Sequence, residues 1–192
     1  MEVKRDAVLR TAAHLFLEYG YQKTSMSVLA KRLDITKPSL YYYFRNKEEI
    51  LVECYRAGIA EIESHLQPAT VKTGTALVRL RLFVHGYATA VLTHYFGRCV
   101  AMIDDSELSV EARRGVRDLK RRVDNSIRRL VQAGIQDGSI YPCDPKLASF
   151  AISGAINWAG TWYKPAGELS PEDIAHAFTA MLTRGLDAHP PR

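Results

Sequence analysis

The fold of this chain is constrained most by residues 24–47, TSMSVLAKRLDITKPSLYYYFRNK. This segment predicts two short helices joined by a tight turn. Ser25 and Thr36 are their expected N-caps, because Ser and Thr side chains accept hydrogen bonds from the free N–H groups of a first helical turn. On the second helix Leu40 and Phe44 are four residues apart, so both should point inward. The pattern indicates a helix-turn-helix unit.

The outward side of the second predicted helix carries a Lys, a Ser hydroxyl and Tyr rings. Such groups on so short a helix need a partner, and they suit the phosphates and base edges of a DNA major groove. Tyr42 is expected to contact a phosphate or a base edge, whereas Thr24 and Lys47 should hold the DNA backbone. The predicted DNA contacts are Thr24, Ser25, Ser27, Thr36, Lys37, Pro38, Ser39, Tyr41, Tyr42 and Lys47. The alternative is a helical hairpin with no nucleic-acid partner.

A family resemblance is carried by residues 36–50, TKPSLYYYFRNKEEI, and by the SVLAKRL helix before them. Over about the first 55 residues the chain closely resembles the helix-turn-helix of the TetR family of transcriptional regulators. One departure is Asp34 in the turn, where the family usually has Gly; Asp tolerates a left-handed backbone better than most residues, so the turn should still form. The resemblance implies a homodimer in which the last two long helices pair with their copies. A dimer also suits a palindromic operator with half-sites about one helical turn (~34 Å) apart.

The placement of charge agrees with a double-stranded DNA partner. The formal net charge is +5, and residues 1–47 contain nine Lys and Arg against four acidic residues. A basic amino-terminal surface beside a helix-turn-helix is the electrostatic footprint of a duplex-binding protein. Since 47% of the 192 residues are hydrophobic and 24% are charged, the chain can bury a core and is not expected to be disordered.

Several other classes of protein are not favoured. The amino terminus lacks the apolar core of a signal peptide, and no apolar run approaches the ~20 residues that span a bilayer, so we expect a soluble, cytoplasmic protein. Cys54, Cys99 and Cys143 lack disulfide-scaffold or metal-ligand spacing, and the six histidines form neither an HExxH pattern nor a pair four residues apart. We therefore predict no catalytic residue, no metal, no cofactor and no enzyme activity.

The pattern of apolar residues predicts an all-α fold of about nine helices. Residues 1–50 are expected to form a three-helix DNA-binding domain, and residues 51–192 a helical ligand-binding and dimerisation domain. A long helix should connect the DNA-reading helices to the rest of the chain and act as a lever between them. A boundary segment is expected after it, at residues 68–74.

Caps and apolar spacing place the individual helices. The first helix has an apolar face at Val8, Ala12, Leu15, Phe16 and Tyr19 and ends at Gly20. The connecting helix begins at Asn46, with Glu49 completing a capping box, and ends near Pro68. Other helices are expected from about Leu80 to Gly97, over Val116–Gly134, after Asp144-Pro145 and after Ser170, with a short apolar piece at Cys99–Ile103 and an acidic loop at Asp104–Glu107.

Aromatic residues with a few polar tips indicate an effector site in the second domain. This mixture is the usual lining of a small-molecule pocket, although aromatic stripes often only pack in a core. The predicted lining is Phe83, Tyr87, Tyr95, Asn157, Trp158 and Trp162. On the basic helix nearby, Arg113, Arg117 and Arg121 either form ion pairs on a solvated surface or form a rim for an anionic ligand.

Two segments extend the resemblance: residues 154–175, GAINWAGTWYKPAGELSPEDIA, and residues 107–114, ELSVEARR. They are similar to TetR members of lipid, steroid and other acyl-CoA catabolism. The resemblance implies a repressor released by an acyl-CoA thioester, with the acyl group among the aromatic residues and the phosphates on the three arginines. Two alternatives remain. The inducer can be an uncharged hydrophobic or aromatic compound, as for an efflux-type regulator. The protein can also be an architectural DNA binder without a ligand, in which case the second domain should lack a cavity.

Overall fold

The computed structural model describes residues 5–66 and 74–188. Within those ranges the chain forms nine α-helices and no β-strand, apart from an isolated bridge between Ile140 and Asp187, so the all-α prediction is confirmed. The helices are α1 Arg5–Tyr19, α2 Met26–Arg32, α3 Lys37–Tyr43, α4 Lys47–Ser64, α5 Ala76–Thr93, α6 Tyr95–Met102, α7 Val110–Gln136, α8 Pro145–Trp162 and α9 Pro171–Arg184, with a 3₁₀ turn at Asp105–Glu107. None of these helices has both the length and the apolar character needed to cross a bilayer.

Three features of the sequence fall on residues that are not described. They are the predicted end of the connecting helix near Pro68, the predicted boundary up to residue 73, and His189.

The predicted N-caps form as expected. The side chains of Ser25, Thr36 and Asn46 accept hydrogen bonds from backbone N–H groups three residues further on, and Asp144 and Ser170 cap α8 and α9 in the same way. The capping box at α4 is only half formed. The Glu49 carboxylate accepts from the N–H of Arg45 at 2.8 Å rather than from the N–H of Asn46.

The prediction of one helix running to Gly97 is wrong. The chain leaves helical geometry at His94, where ψ is 124°, and α6 starts at the next residue. Gly97 lies inside α6, and a Cβ atom there would overlap the backbone of Ala90, so α6 packs closely against the end of α5. Both helices turn apolar residues toward the same core, and for that reason the apolar spacing continues through the break.

The apolar pattern also predicts wrongly that Tyr19 lies on the buried face of α1. Its side chain is exposed, whereas Phe16 one turn earlier is buried and packs edge-on against Tyr21 with ring centroids 5.2 Å apart. Tyr19 is the last residue of α1, and Gly20 then takes a φ of 88° that turns the chain away. The periodicity of a helix no longer governs which side of the chain is buried once the helix ends.

The buried residues form a core that is continuous between the amino-terminal helices α1 to α3 and the second half of the chain. Leu29, Leu40 and Phe44 are buried beneath α2 and α3, and α4 extends the same core toward α5, α6 and α7. On α4, the buried Tyr55 donates its hydroxyl hydrogen bond to the carbonyl of Ile103 at 2.5 Å. This bond ties the middle of α4 to the residue that follows α6.

Candidate nucleic-acid interface and effector pocket

The turn between α2 and α3 sets the geometry of the predicted DNA-reading surface. Asp34 has a φ of 53°, the left-handed conformation that the sequence requires there. Leu33 and Ile35 on either side of Asp34 pack against the core, and Leu40 is fully buried. The inward residues therefore fix α3 and leave its other side to solvent.

Most of the predicted DNA contacts lie on that exposed side. Tyr42 has 84% of its surface exposed and Tyr41 has 50%. The hydroxyls of Thr36 and Ser39 lie 2.9 Å apart at the start of α3. Ser25, Ser27, Lys37 and Pro38 are exposed as well. Hydroxyl groups, an ammonium group and a phenol on one short helix can donate to phosphates and to base edges in a groove.

Thr24 differs from the other predicted contacts because only 1% of its surface is exposed. Its hydroxyl lies within hydrogen-bonding distance of the carbonyls of Gly20 and Leu15, at 3.0 Å and 3.3 Å. In this arrangement the side chain holds the end of α1 against the start of α2, and it does not face the reading surface.

Lys47 is half-buried at the start of α4. Its ammonium donates to the carbonyl of Tyr21 at 2.8 Å and lies 4.0 Å above the centre of the Tyr21 ring. Partial burial lowers the pKa of Lys47, while the charge of Glu107 opposes that effect. An ammonium group has three N–H donors, so Lys47 can keep this contact and still donate to a phosphate.

Two contacts join the amino-terminal part of the chain to the region that leads into α7. The Glu48 carboxylate accepts from the backbone N–H and from the hydroxyl of Ser109, the N-cap of α7. Gln22 contacts the carboxylate of Glu107 in the 3₁₀ turn. These residues place the start of α7 directly beside the start of α4.

A pocket of about 200 Å³ lies between helices α4 to α8. The Tyr87 hydroxyl donates to Asn157 Oδ1 at 2.9 Å on one wall, and burial raises the pKa of Tyr87. Burial also raises the pKa of Asp124, against the opposing effects of the Ser153 hydrogen bond and the charge of Arg128. The lining consists of Ile59, Tyr87, Val100, Ala101, Lys120, Val123, Asp124, Ser153 and Asn157. One part of this lining is apolar and the other can form hydrogen bonds with a bound molecule.

The structure brings two of the predicted ligand residues, Tyr87 and Asn157, together in this pocket. Phe83 is fully buried next to Tyr87, with ring centroids 6.0 Å apart. Tyr95 lies elsewhere, against His14 of α1. Trp158 and Trp162 lie on an exposed face of α8 and are not among the residues that line the pocket.

Sequence reasoning missed the polar residues Lys120, Asp124 and Ser153. A usable signal was present, because Lys120 and Asp124 are four residues apart on α7, and Ser153 and Asn157 are four apart on α8. Polar pairs with this spacing share a helix face. Only the packing of α7 against α8 reveals that the two faces meet.

The three predicted arginines have partners of their own in this structure. Arg113 donates to the backbone carbonyls of Asp105, Ser106 and Leu108 and so holds the 3₁₀ turn in place. Arg121 pairs with Asp118 at 2.6 Å. Arg117 and Lys120 both pair with the carboxylate of Asp105, at 3.6 Å and 3.3 Å. A chain of charged groups therefore leads from the pocket wall at Lys120 to the surface at Arg117.

A row of apolar residues on α8 faces solvent, and we call it the α8 stripe. Trp158 is 68% exposed, and a Cβ atom added at Gly154 would meet no other atom within 4 Å. The stripe consists of Leu147, Phe150, Gly154, Trp158 and Trp162. Exposed apolar surface of this extent on one helix is typical of a protein interface.

Comparison with protein families gives two matches that together span most of the chain. Residues 8–54 match the bacterial regulatory proteins of the tetR family, and residues 73–186 match the tetracyclin repressor-like C-terminal domain.

Individual relatives match along nearly their whole length. The chain is 25% identical over 191 residues to the HTH-type transcriptional regulator YhgD of Bacillus subtilis, covering 97% of this chain and 98% of YhgD. It is 26% identical over 192 residues to the HTH-type transcriptional repressor KstR2 of Mycolicibacterium smegmatis, covering 95% and 90%. The crystal structure of AibR in complex with isovaleryl coenzyme A and operator DNA superposes with a TM-score of 0.83 at 27% identity, covering 93% of this chain and 97% of AibR.

Proposed function

The chain belongs to the TetR family of bacterial regulatory proteins, and on that premise we propose that it is a dimeric transcriptional repressor whose operator affinity falls when a short acyl-CoA binds. In this proposal residues 1–50 read DNA, and residues 51–192 hold the effector and the partner chain. The observation that carries the effector assignment is the small pocket between α4 and α8, with polar groups on one wall.

The exposed side of α3 supports operator binding. Tyr42, Tyr41 and Lys37 extend from a helix whose other side is fixed in the core. The ammonium of Lys47 and the start of α4 lie beside this surface and suit a phosphate. The Tyr and Lys side chains on this surface can contact bases or phosphates while the buried residues of the core keep their positions.

The α8 stripe supports the dimer. Four large apolar side chains and one Gly repeat every three to four residues along one side of the helix. Burying this side against the same side of a second chain removes it from water, and Gly154 lets the two helices approach closely. Two copies then present two α3 helices to a palindromic operator.

The size of the pocket favours a short acyl group. Its volume of about 200 Å³ is below the roughly 300–1,000 Å³ of sites for drug-sized molecules. A branched acyl chain of a few carbons fits against Ile59, Val100 and Val123, and the thioester carbonyl can accept a hydrogen bond from the polar wall. The structure of AibR with isovaleryl coenzyme A supports the same class of effector. An architectural role without a ligand is disfavoured, since that role predicts no pocket.

The charged groups at the pocket suit the rest of a CoA molecule. Lys120 and Arg117 share one carboxylate, that of Asp105. Phosphates carry more negative charge than a carboxylate, so the CoA phosphates can compete with Asp105 for ion pairs with Lys120 and Arg117. An uncharged inducer would not interact with the charges of Lys120 and Arg117. These cations therefore favour CoA over an uncharged, efflux-type compound.

A route from the pocket to DNA follows from the same contacts. If Lys120 and Arg117 turn toward CoA, the 3₁₀ turn loses two of its attachments, and Glu107 and Ser109 shift against Gln22 and Glu48. The start of α4 then moves, and with it the spacing of the two α3 helices in the dimer. Such a shift releases DNA only if the effector prefers the displaced form, by about 10⁴-fold to move a 1:99 population to 99:1.

The test is titration of the protein–operator complex with isovaleryl-CoA, with free isovalerate and with CoA alone, read by fluorescence anisotropy of labelled DNA. We expect only the thioester to lower operator affinity. Equal activity of the free acid contradicts the CoA assignment, because release then does not need the CoA part of the molecule. If acyl-CoAs of every chain length fail to lower operator affinity, the effector proposal is contradicted. The proposal of operator binding is tested separately, by the anisotropy of the same samples before any effector is added.

A further inference from the structure

Three metal-binding side chains meet where α9 packs on α5. His85 lies on α5, whereas Glu172 and His176 are four residues apart on α9 and face the same side of that helix. The Nε2 atoms of His85 and His176 lie 3.2 Å and 3.0 Å from one carboxylate oxygen of Glu172. The three ligand atoms all lie within 4.8 Å of one another. Two imidazoles and one carboxylate around a common point are a ligand set that Zn²⁺ takes in proteins.

Hydrogen bonding does not account for the position of His85. Its Nε2 atom is buried and has no hydrogen-bond partner, even though the Glu172 oxygen is only 3.2 Å away. A ring nitrogen withdrawn from water without a partner is unfavourable. A cation between the two imidazoles and the carboxylate removes this cost, because all three groups then direct a lone pair at it.

The backbone that presents these ligands is well anchored. Arg81, one turn before His85 on α5, donates to the hydroxyl of Thr183 at 3.2 Å and pairs with Asp187 at 2.8 Å. These contacts fix the far end of α9 against α5, and the Ser170–Asp173 capping box stabilises the first turn of α9. The ligands thus come from two rigid helices that are already in register, as a precise metal site requires.

We propose that His85, Glu172 and His176 bind one zinc ion, with water in the fourth position, and that the ion fastens α9 to α5. The site is not visible as a His pair in the sequence, since its ligands combine a Glu–His pair on one helix with a His eighty-seven residues before that Glu. The site is separate from the pocket between α4 and α8, so its existence does not depend on the acyl-CoA proposal.

Calorimetric titration of the chelator-treated full chain with zinc chloride tests the proposal. We expect saturation at about one ion per chain and a rise of a few degrees in the unfolding temperature when zinc is added, because a ligand of the folded state stabilises it. His176→Gln and Glu172→Gln each remove one ligand from an exposed position. Each should weaken zinc binding at least about tenfold. Cobalt(II) in place of zinc should give the visible absorption of a tetrahedral site in the unchanged protein and in neither ligand variant.

His94→Gln is the matched control, because His94 is exposed, lies 3.6 Å from another glutamate, Glu61, and belongs to no part of the proposed site. It should bind zinc as the unchanged protein does. Unfolding temperatures in the presence of chelator should agree among all four proteins, which separates loss of metal from loss of fold. The proposal is overturned if no zinc binds, if both ligand variants bind it with unchanged affinity, or if only His94→Gln loses it.

Discussion

Glu48 and Ser109 connect the start of α4 to the start of α7: one carboxylate accepts from the Ser109 N–H at 2.6 Å and from its hydroxyl at 3.1 Å. The first of these helices begins beside the DNA-reading surface, and the second carries Lys120 and Asp124 of the pocket. Because the charged Glu48 carboxylate accepts from both the N–H and the hydroxyl of Ser109, we expect a displacement at the start of α7 to be passed to α4.

Glu48→Gln should weaken the communication between effector and operator. The amide keeps the size of the side chain but loses the charge and one acceptor oxygen. We expect operator affinity without effector to change little, and the ratio of affinities without and with acyl-CoA to fall several-fold. Anisotropy titrations at saturating and zero effector measure this ratio. Glu168→Gln, on an exposed loop, is the control and should leave the ratio unchanged. If the ratio is also unchanged in Glu48→Gln, the Glu48–Ser109 contact does not transmit the effect of the acyl-CoA to the DNA-reading helices.

Tyr42→Ala should lower operator affinity by about 1–3 kcal/mol if the phenol contacts a base. The fold should persist, because 84% of the Tyr42 surface is exposed and its loss opens no cavity. Circular dichroism checks the fold, and anisotropy with operator DNA measures the affinity. Tyr19→Ala removes another exposed phenol, from α1, and should bind as before. Full operator affinity in folded Tyr42→Ala contradicts its place on the reading surface.

Lys47→Ala should weaken binding to operator and to random DNA alike. The slope of log affinity against log salt concentration should flatten by about one phosphate per subunit, because each neutralised phosphate releases counterions. Lys164→Ala, an exposed lysine after α8, should leave the slope unchanged. The same slope in Lys47→Ala as in the control means that Lys47 stays with Tyr21 in the complex.

Trp158→Glu should convert the proposed dimer to a monomer, because it places a charge in the centre of the α8 stripe. Sedimentation velocity measures the assembly, and operator affinity should fall with it, since one subunit reaches only one half-site. Helix content should persist, as Trp158 is 68% exposed within one chain. Tyr141→Glu alters another exposed aromatic residue, outside α8, and should remain dimeric. If the Trp158→Glu variant remains dimeric, the dimer interface does not include the α8 stripe.

Asp124 should make the stability of the protein depend on pH. Burial raises its pKa above the ordinary value of 3.8, so the folded chain holds this proton more tightly than the unfolded chain. The contribution of Asp124 to the free energy of unfolding therefore falls as the pH rises from 3.8 through the raised folded value. Asp124→Asn removes this loss, and its stability relative to the unchanged protein should increase over that pH interval.

Denaturant unfolding at a series of pH values measures the effect. Asp118→Asn, at an exposed carboxylate on the same helix, serves as the control. A difference between Asp124→Asn and the unchanged protein that stays constant with pH means that Asp124 ionises as freely as a surface acid.

Local chemistry explains what the sequence allowed us to predict. Ser25, Thr36 and Asn46 cap helices through side-chain contacts three residues away, and these contacts are visible in the sequence itself. The break at His94 was not visible, because apolar residues continue on both sides of it. Hydrophobic spacing reports burial and does not report a change of helix direction.

The sites depend on contacts between distant segments, and there the prediction was less complete. Trp158 is a large apolar residue like those of the core. The sequence around it does not indicate that its side chain lies on the surface of a single chain. Tyr87 and Asn157 were identified from their chemistry, whereas Lys120 and Asp124 enter the pocket only through the packing of α7 on α8. His85 and Glu172 meet for the same reason.

The left-handed turn at Asp34 has a consequence for how this regulator can change over generations. A residue with a side chain at a φ of 53° carries an energetic cost of about 1 kcal/mol that glycine does not. In the genetic code, one nucleotide separates every Asp codon from a Gly codon. A single point mutation can thus make the DNA-reading helices more stable while every side chain of α3 stays the same, which gives the lineage a reserve against destabilising changes elsewhere in the chain.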